Sequence, residues 1–308
     1  MSINRIVSFL PSATELLYEF GVQDMLYGVT HECKFPDDAA KKPCVIRSVI
    51  DSESLSSKDI DKKTCRLLFE KKDIFVLDEK NLIDAEPDLI ISQETCEVCA
   101  AYTSQVNKAV RILEKEPLIH SMNPHDFSQI IESVKELGTI LEREEKAKEI
   151  IRLLEKRIQK IKTIVELERK PRIIAIEWIE PFFTAGHWIP QMIEIAGGIN
   201  MISRKGEHST RLSIEEITLA NPEIIILMPC GFGINRTISE YNAFLKDRTE
   251  WKEIPAVKNK KVFAVDANSF FSKPSIRTVT GLEILSKIFH PKITGDIRVP
   301  NHSFTQIK

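Results

Sequence analysis

The first half of the chain alternates short apolar runs with turn signals and amphipathic stretches. Arg5-Ile-Val-Ser-Phe-Leu10 is apolar, Pro11-Ser12 breaks it, and Ala13 to Phe20 follows a helical period. Ser12 followed by Glu15 has capping-box spacing, which predicts that Ser12 caps this helix. Met25 to Thr30 and, after Pro87, Asp88 to Ser92 read as further strands. Val106 to Glu116 and Phe127 to Leu141 read as helices on either side of Leu118-Ile119. Strands alternating with helices predict a parallel sheet in a doubly wound α/β lobe.

Between Glu142 and Lys170 the texture changes, with no Gly or Pro and many Glu, Lys and Arg. Ile150, Ile151, Leu154, Ile158, Ile161 and Val165 recur at helical spacing and leave a charged opposite face. At about 1.5 Å per residue such a helix runs to about 40 Å, more than one lobe needs, so it is read as a rigid connector. After Pro171 the α/β alternation restarts. Arg172 to Trp178, Glu223 to Met228 and Lys261 to Val265 read as strands; Ile189 to Ala196, Ser213 to Leu219 with a Ser213/Glu216 capping box, and Thr280 to Phe289 read as helices. The expected organisation is an N-terminal α/β lobe over 1–141, a connecting helix over 142–170, a C-terminal α/β lobe over 171–290 and a tail over 291–308. Ala85-Glu-Pro-Asp-Leu-Ile-Ile91 and Ala220-Asn-Pro-Glu-Ile-Ile-Ile226 share the pattern A-x-P-[DE]-[LI]-I-I, which marks two equivalent strands.

Composition narrows the function classes. The 308 residues carry 43 Lys+Arg against 45 Asp+Glu, a net charge of −2, so no broad positive field is available for nucleic acid. No stretch is long and apolar enough to predict a membrane-spanning helix. The start, Met1 to Pro11, does not read as a secretory signal, which predicts a cytoplasmic chain as written, or a periplasmic or extracellular one if an export signal precedes it. No G-x-G-x-x-G follows a strand, and no P-loop, G-x-S-x-G elbow or H-E-x-x-H is present, so no enzyme class has an anchor and the expectation is a protein that is not an enzyme.

In open α/β sheets ligands sit beyond the carboxyl ends of the strands, and those loops are rich in polar and aromatic residues here. They hold His31-Glu32-Cys33, Ser92 to Cys99 with Gln93, Cys96 and Cys99, Glu177-Trp178, and Cys230-Gly231-Phe232. Cys33, Cys96, Cys99 and Cys230 with His31 could hold zinc or iron as thiolates and imidazole; Cys96-x-x-Cys99 could equally be a redox dithiol, and a buried Cys can simply pack as a small hydrophobe. Cys44 and Cys65 read as packing or surface residues. His187 stands in Phe182-Phe-Thr-Ala-Gly-His-Trp188, poised to stack on a ligand or ligate a metal. Trp178, Phe182, Phe183, Trp188, Phe232, Phe270 and Phe271 would wall a large, flat, partly apolar ligand, or seal their loops onto the lobe.

The run Arg5 to Glu15, Gly21, Tyr27-Gly-Val-Thr30 and the Ala85 to Ile91 segment resemble the opening of the cobalamin and iron-chelate binding proteins of ABC importers. The likeness extends through the 142–170 helix, Gly186 to Gly198 and Ala220 to Ile226, up to about Phe289. His31-Glu-Cys-Lys-Phe-Pro36, Gln93-x-x-Cys-x-Val-Cys99 and Pro229-Cys-Gly-Phe232 are similar to the cobalamin-binding branch. The resemblance implies two doubly wound α/β lobes joined by one long backbone helix, the class III periplasmic-binding-protein fold. It also implies cobalamin, a related corrinoid or another metal chelate held in the cleft between the lobes, and an ABC permease and ATPase as partners. Ser12, His31, Glu32, Gln93, Glu177, Trp178, His187, Trp188, Gly231, Phe232 and Phe271 are the expected ligand contacts. Cys33, Cys96, Cys99 and Cys230 are the expected metal ligands. The alternative is a cytosolic zinc, iron or redox protein using the same Cys/His set.

Overall fold

Strand β1 (Ile6–Ser8) ends where Pro11, with its fixed φ, opens α1 (Pro11–Glu19). The chain continues through β2 (Leu26–Thr30), β3 (Cys44–Ser48), α2 (Ser57–Phe69), β4 (Phe75–Leu77) and α3 (Glu79–Ala85). Then come β5 (Leu89–Ser92), α4 (Ala100–Ile112), β6 (Leu118–Ser121), α5 (Phe127–Ile140) and α6 (Glu144–Val165). The computed structural model describes residues 3–93 and 100–307. Leu10 is the residue before α1 and no side chain caps the helix, so the expected Ser12 cap is corrected: proline sets the start, and Ser12 falls inside the first turn.

The second half holds β7 (Arg172–Trp178), β8 (Phe183–Thr184), α7 (Ile189–Ile195), β9 (Ile199–Asn200), α8 (Ile214–Leu219), β10 (Ile224–Leu227) and α9 (Ile234–Phe244). After these follow α10 (Thr249–Lys252), α11 (Pro255–Lys258), β11 (Val262–Val265), α12 (Ala267–Phe270), α13 (Thr278–Phe289) and β12 (Phe304–Gln306). The capping box at Ser213 and Glu216 forms as read. The last residues, expected as a tail, instead supply β12, which pairs antiparallel with β11; a three-residue edge strand has too short an alternation to announce itself.

The chain divides into two compact units. The first comprises Met1–Leu55, Lys62–Pro124 and Gln129–Ile151. Its sheet runs β4-β3-β2-β1-β5-β6, parallel except for the β3/β4 pair. Val7, Phe9, Val45, Ile46, Leu82, Ile90 and Ala109 form its core. The second unit comprises Ser56–Asp61, His125–Ser128 and Arg152–Lys308. Its sheet runs β12-β11-β10-β7-β8, with β9 parallel to β7 and antiparallel strands at both edges. Trp251 is its largest buried side chain, stacked on Phe182 at 5.9 Å between ring centres. The charged segment read as a connector forms α6, and Ile150, Leu154, Ile161 and Val165 of its apolar stripe are buried.

The two A-x-P segments are built on the same plan. Each ends a helix, α3 or α8, and its second residue, Glu86 (φ 40°) or Asn221 (φ 47°), turns through the left-handed region. The proline then delivers β5 or β10 beside the unit's first strand. The acidic residue ties down that first strand: Asp88 Oδ2 accepts from the Asn4 and Arg5 N–H, and Glu223 Oε2 from the Arg172 N–H. An arginine completes each clamp, Arg5 Nε donating to Ala85 O and Arg172 Nε to Asn221 O.

Candidate functional site

At the carboxyl end of β7 and β10 the second unit carries an aromatic and charged group. Trp178 and Phe232 lie with ring centres 5.3 Å apart, and the Arg236 guanidinium sits 3.6 Å over the Phe232 ring. Trp178 is half-buried, whereas Phe232 is only 2% exposed. The loop that presents Phe232 is held by backbone: Cys230 N–H donates to Glu177 O, and Asn268 N–H to Phe232 O. Gly231 turns this loop at φ +77°, a conformation that favours glycine, and its N–H donates to Ser272 Oγ. The Trp178 indole N–H donates to Ser57 O at 3.1 Å. Ser57 in turn donates through N–H (3.0 Å) and Oγ (2.5 Å) to the two oxygens of Glu240, a carboxylate on α9 that is 7% exposed. Arg211 pairs with Asp61 one turn along α2.

Beside this group, the Glu177 carboxylate accepts from Ser209 Oγ and from the Gly186 N–H. Gly186 lies against the 207–209 backbone, where a Cβ would come within 2.6 to 2.9 Å of main-chain atoms, so only glycine fits. The next residue, His187, is left-handed (φ 54°), and its buried Nδ1 has no hydrogen-bond partner among the described residues. Its ring lies 5.1 Å from that of His208, which is 6.4 Å from that of His125. Burial first, then these two imidazoles, push the His187 pKa down to about 4, so the ring is neutral at pH 7. Trp188 and Phe271 are buried together, the indole N–H donating to Phe271 O. Cys230 is exposed.

The corresponding loops of the first unit carry small polar groups. Ser12 is 2% exposed, and among the described residues its Oγ finds no hydrogen-bond partner. Cys33 is buried with Thr14 Oγ1 at 3.1 Å and Thr30 Oγ1 at 3.4 Å from its sulfur. His31 is half-buried with Nδ1 3.3 Å from Ile46 O, Glu32 is exposed, and Gln93 is half-buried at the exit of β5. Cys96 and Cys99 lie outside the described residues. Among the described residues no three His, Cys, Asp or Glu side chains are arranged to hold a metal ion, and no helix is long and apolar enough to cross a membrane.

Residues 6–269 match the periplasmic binding protein family. The chain belongs to that family. It is similar to an uncharacterized ABC transporter substrate-binding lipoprotein of Bacillus subtilis, 22% identical over 293 residues that cover 93% of this chain and 80% of that one. It is likewise similar to a vitamin B12-binding protein of Vibrio cholerae, 23% identical over 299 residues, 91% of this chain and 86% of the other. Among solved structures, a periplasmic heme-binding protein from Pseudomonas aeruginosa superposes with a TM-score of 0.72 at 14% identity, covering 99% and 98% of the two chains. This periplasmic binding protein thus has the expected fold, two α/β lobes of the class III kind. Its relatives are solute-binding proteins rather than enzymes.

The structure brings Trp178 together with Phe232, Trp188 with Phe271, and Glu177 with the backbone ahead of His187. Sequence reasoning missed Glu240, Ser57, Arg236 and His208. A signal for Glu240 exists: on α9 it shares the buried face of Thr237 and Tyr241, three and one residues away, where a carboxylate is out of place on an apolar stripe. Ser57 carries no such mark, because a serine at the start of a helix is ordinary and its partner Glu240 is remote in sequence.

Proposed function

We propose that this protein binds cobalamin or a related corrinoid and hands it to an ABC permease driven by its ATPase. The observation that carries the reading is the Trp178–Phe232–Arg236 group at the carboxyl ends of β7 and β10. It combines aromatic surface with fixed polar groups on the edge where α/β sheets take ligands. The relationship to a vitamin B12-binding protein along nearly the whole chain supports it. Ser12, His31, Glu32 and Gln93 on the first unit, and Glu177, Trp178, His187, Trp188, Gly231, Phe232 and Phe271 on the second, are the proposed contacts. Buried Trp188, Phe232 and Phe271 act by shaping the loops, and half-buried Trp178 and His187 by touching the ligand.

Titration calorimetry with cyanocobalamin and with haemin tests the reading. The expected result is one-to-one binding of cyanocobalamin, weakened at least about thirtyfold by Trp178→Ala, since truncating an aromatic anchor costs about 2 kcal/mol or more. Absence of cyanocobalamin binding, with haemin bound or with stoichiometric zinc or iron retained through dialysis, overturns it.

A further inference from the structure

Ser57 makes three polar contacts with side chains of the second unit, and their pattern is specific. Two donors, its N–H and its hydroxyl, meet the two oxygens of Glu240, and one acceptor, its carbonyl oxygen, meets the Trp178 indole N–H. Helix α2 does not need Glu240 as its cap. Ser56 already fills that role, its Oγ accepting from the Asp59 N–H and donating to the Asp59 carboxylate. Among the described residues Glu240 forms no ion pair, so a buried carboxylate is held by one residue's donors alone, an arrangement that costs desolvation without a countercharge. An apolar side chain at this position of α9 would pack at less cost.

We infer that Glu240 and the Trp178 indole N–H form a ligand subsite, held in this structure by the first turn of α2, whose guest is a primary carboxamide. The inference rests on the corrinoid reading above and deepens it. A –CONH2 group offers the same complement as Ser57: two N–H donors for the carboxylate and one carbonyl for the indole. A carboxylate-bearing guest, such as haem with its propionates, brings only acceptors and places a second negative charge against Glu240. The subsite therefore selects a macrocycle edged with amides over one edged with acids. Ser57 competes with the guest, and the apparent affinity is reduced by the fraction of molecules in which the first turn of α2 occupies the subsite.

Calorimetry on the full chain with cyanocobalamin and haemin as probes tests this. In Ser57→Pro the competing N–H and hydroxyl are gone, while proline suits the first helical position; cyanocobalamin binds about tenfold tighter, as expected for loss of a charged hydrogen bond in the competitor. Adding Glu240→Gln to Ser57→Pro weakens cyanocobalamin about tenfold and leaves haemin as tight or tighter. In the wild type, saturation with cyanocobalamin exposes the Ser57 amide to hydrogen exchange, a readout that needs no variant to fold. If the wild type binds cyanocobalamin but the Ser57 amide stays protected, or Ser57→Pro fails to tighten binding, the subsite falls and the corrinoid reading stands. Equal weakening of both probes by Glu240→Gln removes the amide assignment. If the wild type does not bind cyanocobalamin, the reading and the subsite fall together.

Discussion

The amino edges of the two sheets are built alike and their carboxyl edges are not. On the amino side, Arg5, Glu86 and Asp88 in the first unit do what Arg172, Asn221 and Glu223 do in the second. On the carboxyl side, the first unit offers Ser12, Thr14, Thr30 and Cys33, small polar groups, whereas the second offers Trp178, Phe232, Arg236 and Glu240. The amino edge is where the fold is specified, and it is repeated because the fold is. The carboxyl edge is free of that duty, so it can differ between the units and carry the chemistry.

The largest effect is expected in the cores beneath these edges. All three tryptophans lie in the second unit, so tryptophan fluorescence follows that unit. Trp251 is 0% exposed against Phe182 and Tyr241. Trp251→Ala should lower the stability read by fluorescence in urea by about 3–5 kcal/mol. Trp251→Phe should cost much less than the lost area suggests, because the indole N–H is buried without a hydrogen-bond partner and its removal relieves that burden. A Trp251→Phe loss as large as that of Trp251→Ala would show that ring shape, not polar satisfaction, governs this core.

Next in size comes the amino-edge clamp. Asp88 accepts two backbone N–H groups and pairs with Lys115 at 2.8 Å, with its side chain 14% exposed; Glu223 accepts one backbone N–H and pairs with Arg169 and Arg172, 25% exposed. Asp88→Ala should cost about 1–2 kcal/mol and Glu223→Ala about 1 kcal/mol or less. The Lys115 hydrogen bond is the largest influence holding the Asp88 pKa below its ordinary value; for Glu223 burial works upward, but the arginine and backbone contacts together hold it down. Both therefore contribute stability that is complete above the unfolded carboxylate pKa of about 4 and is lost as pH falls through the lower folded value. Equal effects of the two substitutions, or acid unfolding unchanged in both, would break the equivalence of the clamps.

The amino edge was legible in the sequence and the carboxyl edge only in part, for physical reasons. The A-x-P pattern works through backbone conformation and one local carboxylate, so it shows in consecutive residues. The apolar stripe of α6 and the Ser213 capping box are likewise local. Ser12 misled because its spacing to Glu15 fits a cap, while Pro11 one residue earlier had already set the helix start. Trp178 and Phe232 were found because strand ends are recognisable. Their partners were not, because Ser57 and Glu240 stand 183 positions apart and no local pattern links them. The short strands β8, β9 and β12 lack the periodicity that marks longer elements.

A smaller contrast lies in the imidazoles. Burial lowers the pKa of His120 in the first unit, and burial together with His208 and His125 lowers that of His187 in the second to about 4. For a base depressed on folding, the unfolded chain takes up the proton first, so stability falls as pH drops from the unfolded value of about 6.5 toward the folded one. His187→Asn keeps a residue that tolerates the left-handed backbone and removes the ring. It should flatten the loss of thermal stability between pH 6.5 and 4 and leave the midpoint at pH 8 nearly unchanged. Should the pH dependence persist in His187→Asn and vanish in His120→Asn, the sensitive imidazole would belong to the first unit instead.

The smallest effect separates the thiols at the carboxyl edges. Cys33 is buried beside Thr14 and Thr30, while Cys230 stands exposed on the loop that presents Phe232. A thiolate needs solvent access to react, so a maleimide applied to the native protein should modify Cys230 rapidly and Cys33 only on unfolding, as read by peptide mass spectrometry. The exposed Cys65 is the internal standard for an unhindered thiol. Cyanocobalamin should slow labelling of Cys230 and leave Cys65 unaffected, because the loop that carries Cys230 packs Phe232 against Trp178, the proposed ligand contact. Protection of Cys33 carries no information about the ligand, since hydroxyls and burial already shield it. Equal protection of Cys65 and Cys230 by cyanocobalamin would mean that the whole fold tightens on binding, and the contrast between an inert first-unit thiol and a site-reporting second-unit thiol would be lost.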